Sequence, residues 1–421
     1  MAGRQLPRLA ELLKVVRFRA PQWGRTARRL SSAATIDDLR GVARRVTPRA
    51  VFDYTEGGAG RELTVKSNRL AFDMIEFRPA QLVDVSAPSL ITSILGRDSA
   101  MPLILAPTGF TRMMHHSGEV AVARAAARAG LPYALSTMGT TSPEDLAAGV
   151  PEVRRWFQLY LWKERESSAA LIERAAAHGF DSLILTIDTP VGAQRLRDIR
   201  NGMTIPPQLS FETMLDGARH PKWWLNLLTT EPLKFASLSS FPGTASELAT
   251  QFFDSSATIT DIGRLRDVWK GSLIVKGILS AEAARQVVDA GADAVVVSNH
   301  GGRQLDQTPA SLSVLPEVID EVADEVDVYL DGGVMTGSDI AGAIALGADA
   351  VLIGRAYLYG LMAGGEAGVD RALEILRTEM TTTMQLLGAP TIADLTPARL
   401  GQVPTWRTSA AIQDRGTARD R

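Results

Sequence analysis

The chain contains no cysteine. That excludes a disulfide framework, a thiolate metal site and a cysteine nucleophile. It also has almost no net charge, with 45 lysines and arginines against 47 acidic residues. Such a balance gives no support for nucleic acid binding. No apolar run approaches the roughly 18 residues that a membrane-spanning helix needs. What is there is 421 residues, 45% of them hydrophobic. That suffices for one large α/β barrel or for two to three ordinary domains.

Net charge is small overall but unevenly distributed. The first 30 residues hold eight basic side chains and one acid, Glu11. Leu6, Leu9, Leu12, Leu13 and Val16 recur at helical spacing. The segment 1–35 therefore reads as a basic amphipathic arm that meets anionic lipid or the protein body, with an organelle transit peptide as the second reading. It lacks the long apolar core of a secretory signal. The expected location is cytoplasmic, with peripheral contact at the inner face of the cell membrane. At the other end, 401–421 reads as a polar tail.

Residues 36–78 read as helical, with Pro48 at a helix start and Gly57-Gly58-Ala59-Gly60 as a break. From residue 101 a rhythm begins. Short apolar runs at 103–107, 132–136, 157–160, 183–188, 273–276, 294–297, 328–331 and 350–354 alternate with helical stretches. Alternation predicts a parallel sheet, and eight strands predict a closed (β/α)8 barrel over 36–400. Gly291-Ala292-Asp293-Ala294 and Gly347-Ala348-Asp349-Ala350 repeat one another, each a glycine closing a helix before a strand. The long crossover at 197–262, with Pro206-Pro207, Trp223-Trp224 and Phe252-Phe253, is an insertion. It reads either as a lid over the site or as a packed satellite of helices.

In such a barrel the chemistry gathers at the C-terminal strand ends. The sixth run stops at Ser298-Asn299-His300-Gly301-Gly302-Arg303. His300 is suited to act as a base near neutral pH. Arg303 is suited to grip a carboxylate through two hydrogen bonds. Other strand ends offer Pro107-Thr108-Gly109, Ser136, Gln158, Tyr160, Thr186, Asp188, Lys276, Asp331-Gly332-Gly333 and Gly354-Arg355, with Arg195 just beyond the fourth. The glycines after strands seven and eight, Arg355 and a helix starting near Gly337 suit a phosphate. Gln158, Thr186 and Ser298 suit a polar heterocycle. Lys276 fits a Schiff base or a cation against a negative ring. Asp188 is placed to hold His300. Each of these residues also has a plain structural reading, as a satisfied barrel residue or a glycine required by a tight turn. Their convergence from every strand is what points to a ligand.

Together these motifs resemble the FMN-dependent 2-hydroxy acid oxidases and dehydrogenases, over about residues 36 to 397. Ser298-Asn299-His300-Gly301-Gly302-Arg303-Gln304-Leu305-Asp306 is similar to the family signature. Phe157-Gln158-Leu159-Tyr160, Thr186-Ile187-Asp188-Thr189-Pro190 and Val275-Lys276-Gly277 match at the expected places. Within the family the chain resembles the quinone-linked L-lactate dehydrogenases of actinobacterial type, through its basic arm, His220-Pro221-Lys222-Trp223-Trp224 and Gly354-Arg355-Ala356-Tyr357-Leu358-Tyr359-Gly360.

The resemblance implies FMN as cofactor, a small 2-hydroxy acid as substrate, a quinone or other acceptor, and a homotetramer. It implies His300 as the base, Asp188 as its stabiliser, Arg303, Tyr54 and Arg195 around the carboxylate, and Tyr160 on the 2-hydroxyl. Pro107, Thr108, Gly109, Ser136, Gln158, Thr186, Ser298 and Lys276 would line the flavin, Lys276 at its N1/O2 edge. Asp331, Gly332, Gly333, Val334, Met335, Gly354 and Arg355 would form the ribityl-phosphate end. Two positions depart from the family pattern. Met335-Thr336 stands where many relatives carry two arginines, and Met138 where plant glycolate oxidases carry tryptophan. The flexible Met138 favours lactate over glycolate. Competing readings are an oxygen-using oxidase, an oxidation of longer or aromatic acids, a phosphate-binding isomerase barrel and a non-catalytic flavin module.

Overall fold

The computed structural model describes residue 16 and residues 23–203, 210–238 and 253–401. Most of the expected arm, Pro206-Pro207, Phe252 and the tail from 402 lie outside the described residues. A helix, Arg25–Ser32, precedes the expected start and buries Leu30 beside Gly364. Helix Ile36–Val46 opens on a capping box in which Thr35 accepts from Asp38 N and the Asp38 side chain accepts from Thr35 N. Helices Arg49–Glu56 and Leu63–Asp73 follow, separated by the glycine break.

A hairpin comes next, β1 (Thr92–Ile94) and β2 (Arg97–Ser99), paired antiparallel. Its two-residue turn places Leu95 at φ 48 and Gly96 at φ 67, the double positive φ of a type I′ turn. Leu-Gly is not the Asn-Gly or Asp-Gly pair that announces such turns, so the sequence pattern passed over it. The hairpin drives Ile94 into the bottom of the barrel, where it is fully buried.

The eight runs form eight parallel strands: β3 (Leu103–Leu105), β4 (Tyr133–Ser136), β5 (Arg155–Leu159), β6 (Ser182–Thr186), β7 (Ser272–Ile278), β8 (Ala294–Val297), β9 (Asp327–Asp331) and β10 (Ala350–Ile353). They close in chain order, β10 returning to β3. The architecture is the (β/α)8 barrel. Boundaries differ slightly from the sequence reading, since β5 ends before Tyr160 and β6 before Asp188.

Side chains alternate along each strand. Leu103, Leu105, Leu183, Leu185, Val295 and Val297 face the surrounding helices. Ile104, Ala134, Trp156, Ile184, Ile274, Val296, Tyr329 and Leu352 fill the interior. The next interior position up six of the eight strands is polar: Ser136 after Ala134, Gln158 after Trp156, Thr186 after Ile184, Lys276 after Ile274, Ser298 after Val296 and Asp331 after Tyr329. Parity alone thus lays a polar layer on an apolar floor. Register completes it, pairing Ser136 with Gln158 and Thr186 with Lys276.

Candidate active site

The polar layer is wired across the barrel. Ser136 Oγ donates to Gln158 Oε1 at 3.0 Å, and Gln158 Nε2 donates to Thr186 Oγ1 at 3.0 Å. Lys276 Nζ lies 2.7 Å from Ser298 Oγ and 3.0 Å from Asp331 Oδ2. Burial disfavours the Lys276 cation, but Asp331 and Asp188 outweigh it and hold its pKa above the ordinary value. A charged lysine under the barrel mouth is suited to a ring that gains negative charge, and is no free amine for a Schiff base.

The base sits one step higher. His300 Nδ1 lies 2.9 Å from Asp188 Oδ1. Burial pushes the Asp188 pKa up, but the His300 and Lys276 charges outweigh it and leave it below the ordinary value. Asp188 is therefore a carboxylate, Nδ1 is the donor, and Nε2 is free to accept a proton. Gly277, at φ +114, permits this approach; a Cβ there would stand 2.8 Å from Asp188 Cβ.

The turn carrying His300 is held in an uncommon form. His300, Gly301 and Gly302 have φ of 58, 62 and 75. A non-glycine residue at positive φ persists only where its surroundings impose it. Here Asn299 Oδ1 accepts from Gly302 N at 3.1 Å, while the Asn299 and Asn68 amides bond reciprocally at 2.7 and 2.8 Å. Neither asparagine was singled out from sequence. Asn68 lies on a distant helix, so only the fold brings the pair together.

Beside His300 lies a cationic wall. The Arg195 and Arg303 guanidinium carbons each stand 5.2 Å from the Tyr54 ring centroid. Arg303 Nη1 donates to Tyr54 O and Gly57 O, both at 2.8 Å. Burial and the neighbouring Arg195 pull the Arg303 pKa down to about 9. Arg195 Nε is bound by Asp198 Oδ2 at 2.7 Å. Asp198 is a buried carboxylate the sequence reading missed; its signal was the Arg-x-x-Asp spacing. Tyr160 feels Asp188, Tyr54, Arg195 and Arg303, and its pKa is raised mainly by burial. The structure thus assembles His300, Asp188, Tyr160, Tyr54, Arg195 and Arg303 around one space. Thr108 Oγ1 bonds the Tyr357 hydroxyl at 2.7 Å. Gly109 lies against Met138, whose N–H donates to Ser136 Oγ.

At the phosphate end the expected residues have protein partners. Arg355, expected to meet an anion, directs part of its guanidinium to the main chain, donating to Thr55 O, Gly301 O and Gly57 O at 3.0, 2.8 and 2.8 Å. Those carbonyls lie at the end of the Arg49–Glu56 helix and in the His300 turn, where carbonyls lack helical partners, and Gly57 O is shared with Arg303. Helix Gly337–Ala345 starts where expected, but its first N–H groups have internal partners. Gly337 N donates to Glu379 Oε2, and Asp339 N to Thr336 Oγ1. Gly332 and Gly333 do form a cradle, both at φ +95, and a Cβ on Gly333 would meet Asn68 O at 2.7 Å. Val334 is buried, and Met335 packs its side chain on the core.

These residues suit FMN. Asp331 Oδ1 is buried without a protein partner beside the lysine. The row of Ser136, Gln158, Thr186 and Ser298 supplies donors and acceptors for a flat heterocycle, and the glycine cradle leaves room for main-chain contact with an anion.

Residues 43–402 match the FMN-dependent dehydrogenase family. The chain belongs to that family. It is 51% identical over 95% of its length, and 97% of the relative's, to a Mycobacterium tuberculosis protein whose name assigns it provisionally to the L-lactate dehydrogenases. It is 40% identical to an L-lactate oxidase from Nostoc, covering 87% of this chain and 97% of that one. Among solved structures, a monotopic membrane protein, (S)-mandelate dehydrogenase, superposes with a TM-score of 0.85 at 40% identity, over 88% of this chain and 99% of the other. The protein is an FMN-dependent oxidoreductase with the barrel fold of these enzymes.

Proposed function

We propose that the protein oxidises an L-2-hydroxy acid, foremost L-lactate to pyruvate, and passes the electrons to a quinone. The observation that carries the reading is the His300–Asp188 pair at 2.9 Å beside the Arg195, Arg303 and Tyr54 wall. Arg303 and Arg195 take the substrate carboxylate. Tyr160 bonds the 2-hydroxyl. His300 Nε2 takes one of the two protons the substrate releases, and Asp188 stabilises the resulting imidazolium. Bound FMN supplies the two-electron acceptor. Lys276 holds a positive charge under the polar layer throughout.

The relatives' names support lactate, and so does Met138, which bounds the side-chain space without a rigid ring. The test is anaerobic mixing with L-lactate, then with a quinone or with oxygen in separate shots. Flavin bleaching followed by fast return with quinone is expected. Return with oxygen alone would convert the reading to an oxidase, which similarity to the Nostoc enzyme favours. No bleaching with lactate, but bleaching with mandelate, would move the substrate to an aromatic acid.

A quinone acceptor places the enzyme at a membrane, with the cytoplasmic face of the cell membrane as its site. In support, helices Phe211–Ala218 and Pro221–Leu228 bury no residue, and they leave Phe211 80% and Leu228 74% exposed. No helix among the described residues is long and apolar enough to cross a membrane, which fits surface attachment. The assembly proposed is a homotetramer, which sedimentation velocity would check.

A further inference from the structure

Glu119 lies in the first turn of helix Gly118–Ala129 and is fully buried. Among the described residues it makes no ion pair; its partners are two hydroxyls and one main-chain N–H. Thr140 N donates to Oε1 at 2.5 Å, and the Thr140 hydroxyl lies 2.8 and 2.7 Å from the two carboxyl oxygens. Thr141 Oγ1 donates to Oε2 at 3.0 Å. A buried carboxylate without a cation is costly unless donors satisfy it. Here all of them come from two consecutive residues of the loop after β4. An aliphatic side chain would pack this helix against the barrel without that demand. The carboxylate, by contrast, fixes where the loop stands.

That loop borders the site. Thr137 Oγ1 donates to Gln158 O at 2.5 Å and accepts from Tyr160 N at 3.4 Å. Every residue from 131 to 143 is buried except Met138, which is half-buried. Met138 is tied through its main chain: its N–H donates to Ser136 Oγ at 3.1 Å, and its carbonyl accepts from Phe110 N at 3.0 Å. A thioether on three rotatable bonds makes no wall by itself. Its backbone has to be placed first. Glu119 does this from two residues away, while Ala236 N, on the insertion, donates to Gly139 O at 3.1 Å from the other side.

We infer that Glu119 is a positioning residue for Met138, and through it sets how large a substrate side chain the site admits. This rests on the 2-hydroxy acid reading of the site. The test is the ratio of kcat/KM for L-lactate to kcat/KM for L-2-hydroxyisocaproate, a bulkier acid, in the FMN-loaded enzyme. Glu119→Ala is expected to lower this ratio about tenfold, the scale of discrimination that an apolar pocket draws from small changes in side-chain size. Glu119→Gln still accepts from Thr140 N and offers its amide N–H groups to the hydroxyls, so it is expected to keep the ratio. Met138→Ala is expected to lower the ratio as well. Adding Glu119→Ala to Met138→Ala should then change it no further, since the two act through one side chain.

An unchanged ratio in Glu119→Ala, with only thermal stability reduced, would overturn the inference, because the carboxylate would then serve only the fold. Additive shifts in the double variant would overturn it too, because Glu119 would then act by another route than Met138. Should Glu119→Ala fail to fold, Thr140→Val withdraws the hydroxyl and leaves the carboxylate in place. A lower ratio there supports the inference, and an unchanged one removes it. Failure of every 2-hydroxy acid to bleach the flavin of the unaltered protein would instead sink the substrate reading itself.

Discussion

His300 stands at φ 58 with Nδ1 committed to Asp188. Only Nε2 can then exchange a proton with substrate. His300→Gln is expected to keep FMN, since no flavin contact is assigned to the ring, and to slow flavin reduction by about 10²–10⁴-fold. Anaerobic stopped-flow bleaching measures this directly, and near-normal reduction would remove His300 from the base role.

Arg303 makes a second prediction. Burial and Arg195 lower its pKa, yet a guanidinium keeps its proton across the working pH range and holds the carboxylate in charged form. Arg303→Lys replaces the fork by a point charge of lower intrinsic pKa. It is expected to raise KM while lowering kcat, and to introduce an alkaline limb in kcat/KM that the unaltered enzyme lacks. Unchanged kinetics in this variant would place the carboxylate elsewhere.

At the scale of elements, strand parity does most of the placing. Six of the eight strands, β4 to β9, bury an apolar side chain inside the barrel and put a polar one at the mouth two residues later. That is why the sites were legible at 136, 158, 186, 276, 298 and 331 before any coordinates. The lower rim shows a cost of the same regularity. Asp349, just before β10, is an exposed residue, and Val328 N donates to its carboxyl at 2.7 Å. Partial desolvation of that carboxyl and the nearby Asp327 raise its pKa to about 6. A carboxyl with a raised folded-state pKa contributes stability below its unfolded value, and that contribution is lost as pH climbs through about 6. Asp349→Asn keeps an acceptor for Val328 and removes the charge. Thermal unfolding should show the variant more stable at pH 8, with the difference vanishing near pH 4. A variant less stable at pH 8 would show that the negative charge is needed there.

Over the whole molecule, the described surface carries one exposed apolar hairpin on the insertion. Replacing Phe211 and Leu228 by serine together removes two anchors. Burying such side chains is worth about 1.5–3 kcal/mol each. Co-sedimentation with phosphatidylglycerol vesicles should therefore fall at least about tenfold, while lactate bleaching of the flavin in solution stays unchanged. Equal sedimentation of both proteins would place any membrane contact elsewhere, for example on the basic arm.

The insertion was visible in the chain as an overlong crossover, but its two readings stayed open there. Periodicity reports burial against the protein's own core and says nothing of what an exposed apolar face awaits. The barrel, its strand count and the candidate ligands followed from local patterns: alternation of two along strands, glycines closing helices, polar residues at strand ends. Local pattern carries that information because a strand's parity is the same whatever surrounds it. The partners of those residues did not follow. Asn68 with Asn299, Arg69 with Asp339 and Arg355 with the Thr55 and Gly57 carbonyls each join segments more than 200 residues apart. Such pairings depend on where the closed barrel brings its N-terminal helices, which no sequence spacing encodes. Arg355 shows the point most clearly. Its position after the eighth strand suggested an anion, and only the fold shows that three main-chain carbonyls also lie within reach of its donors.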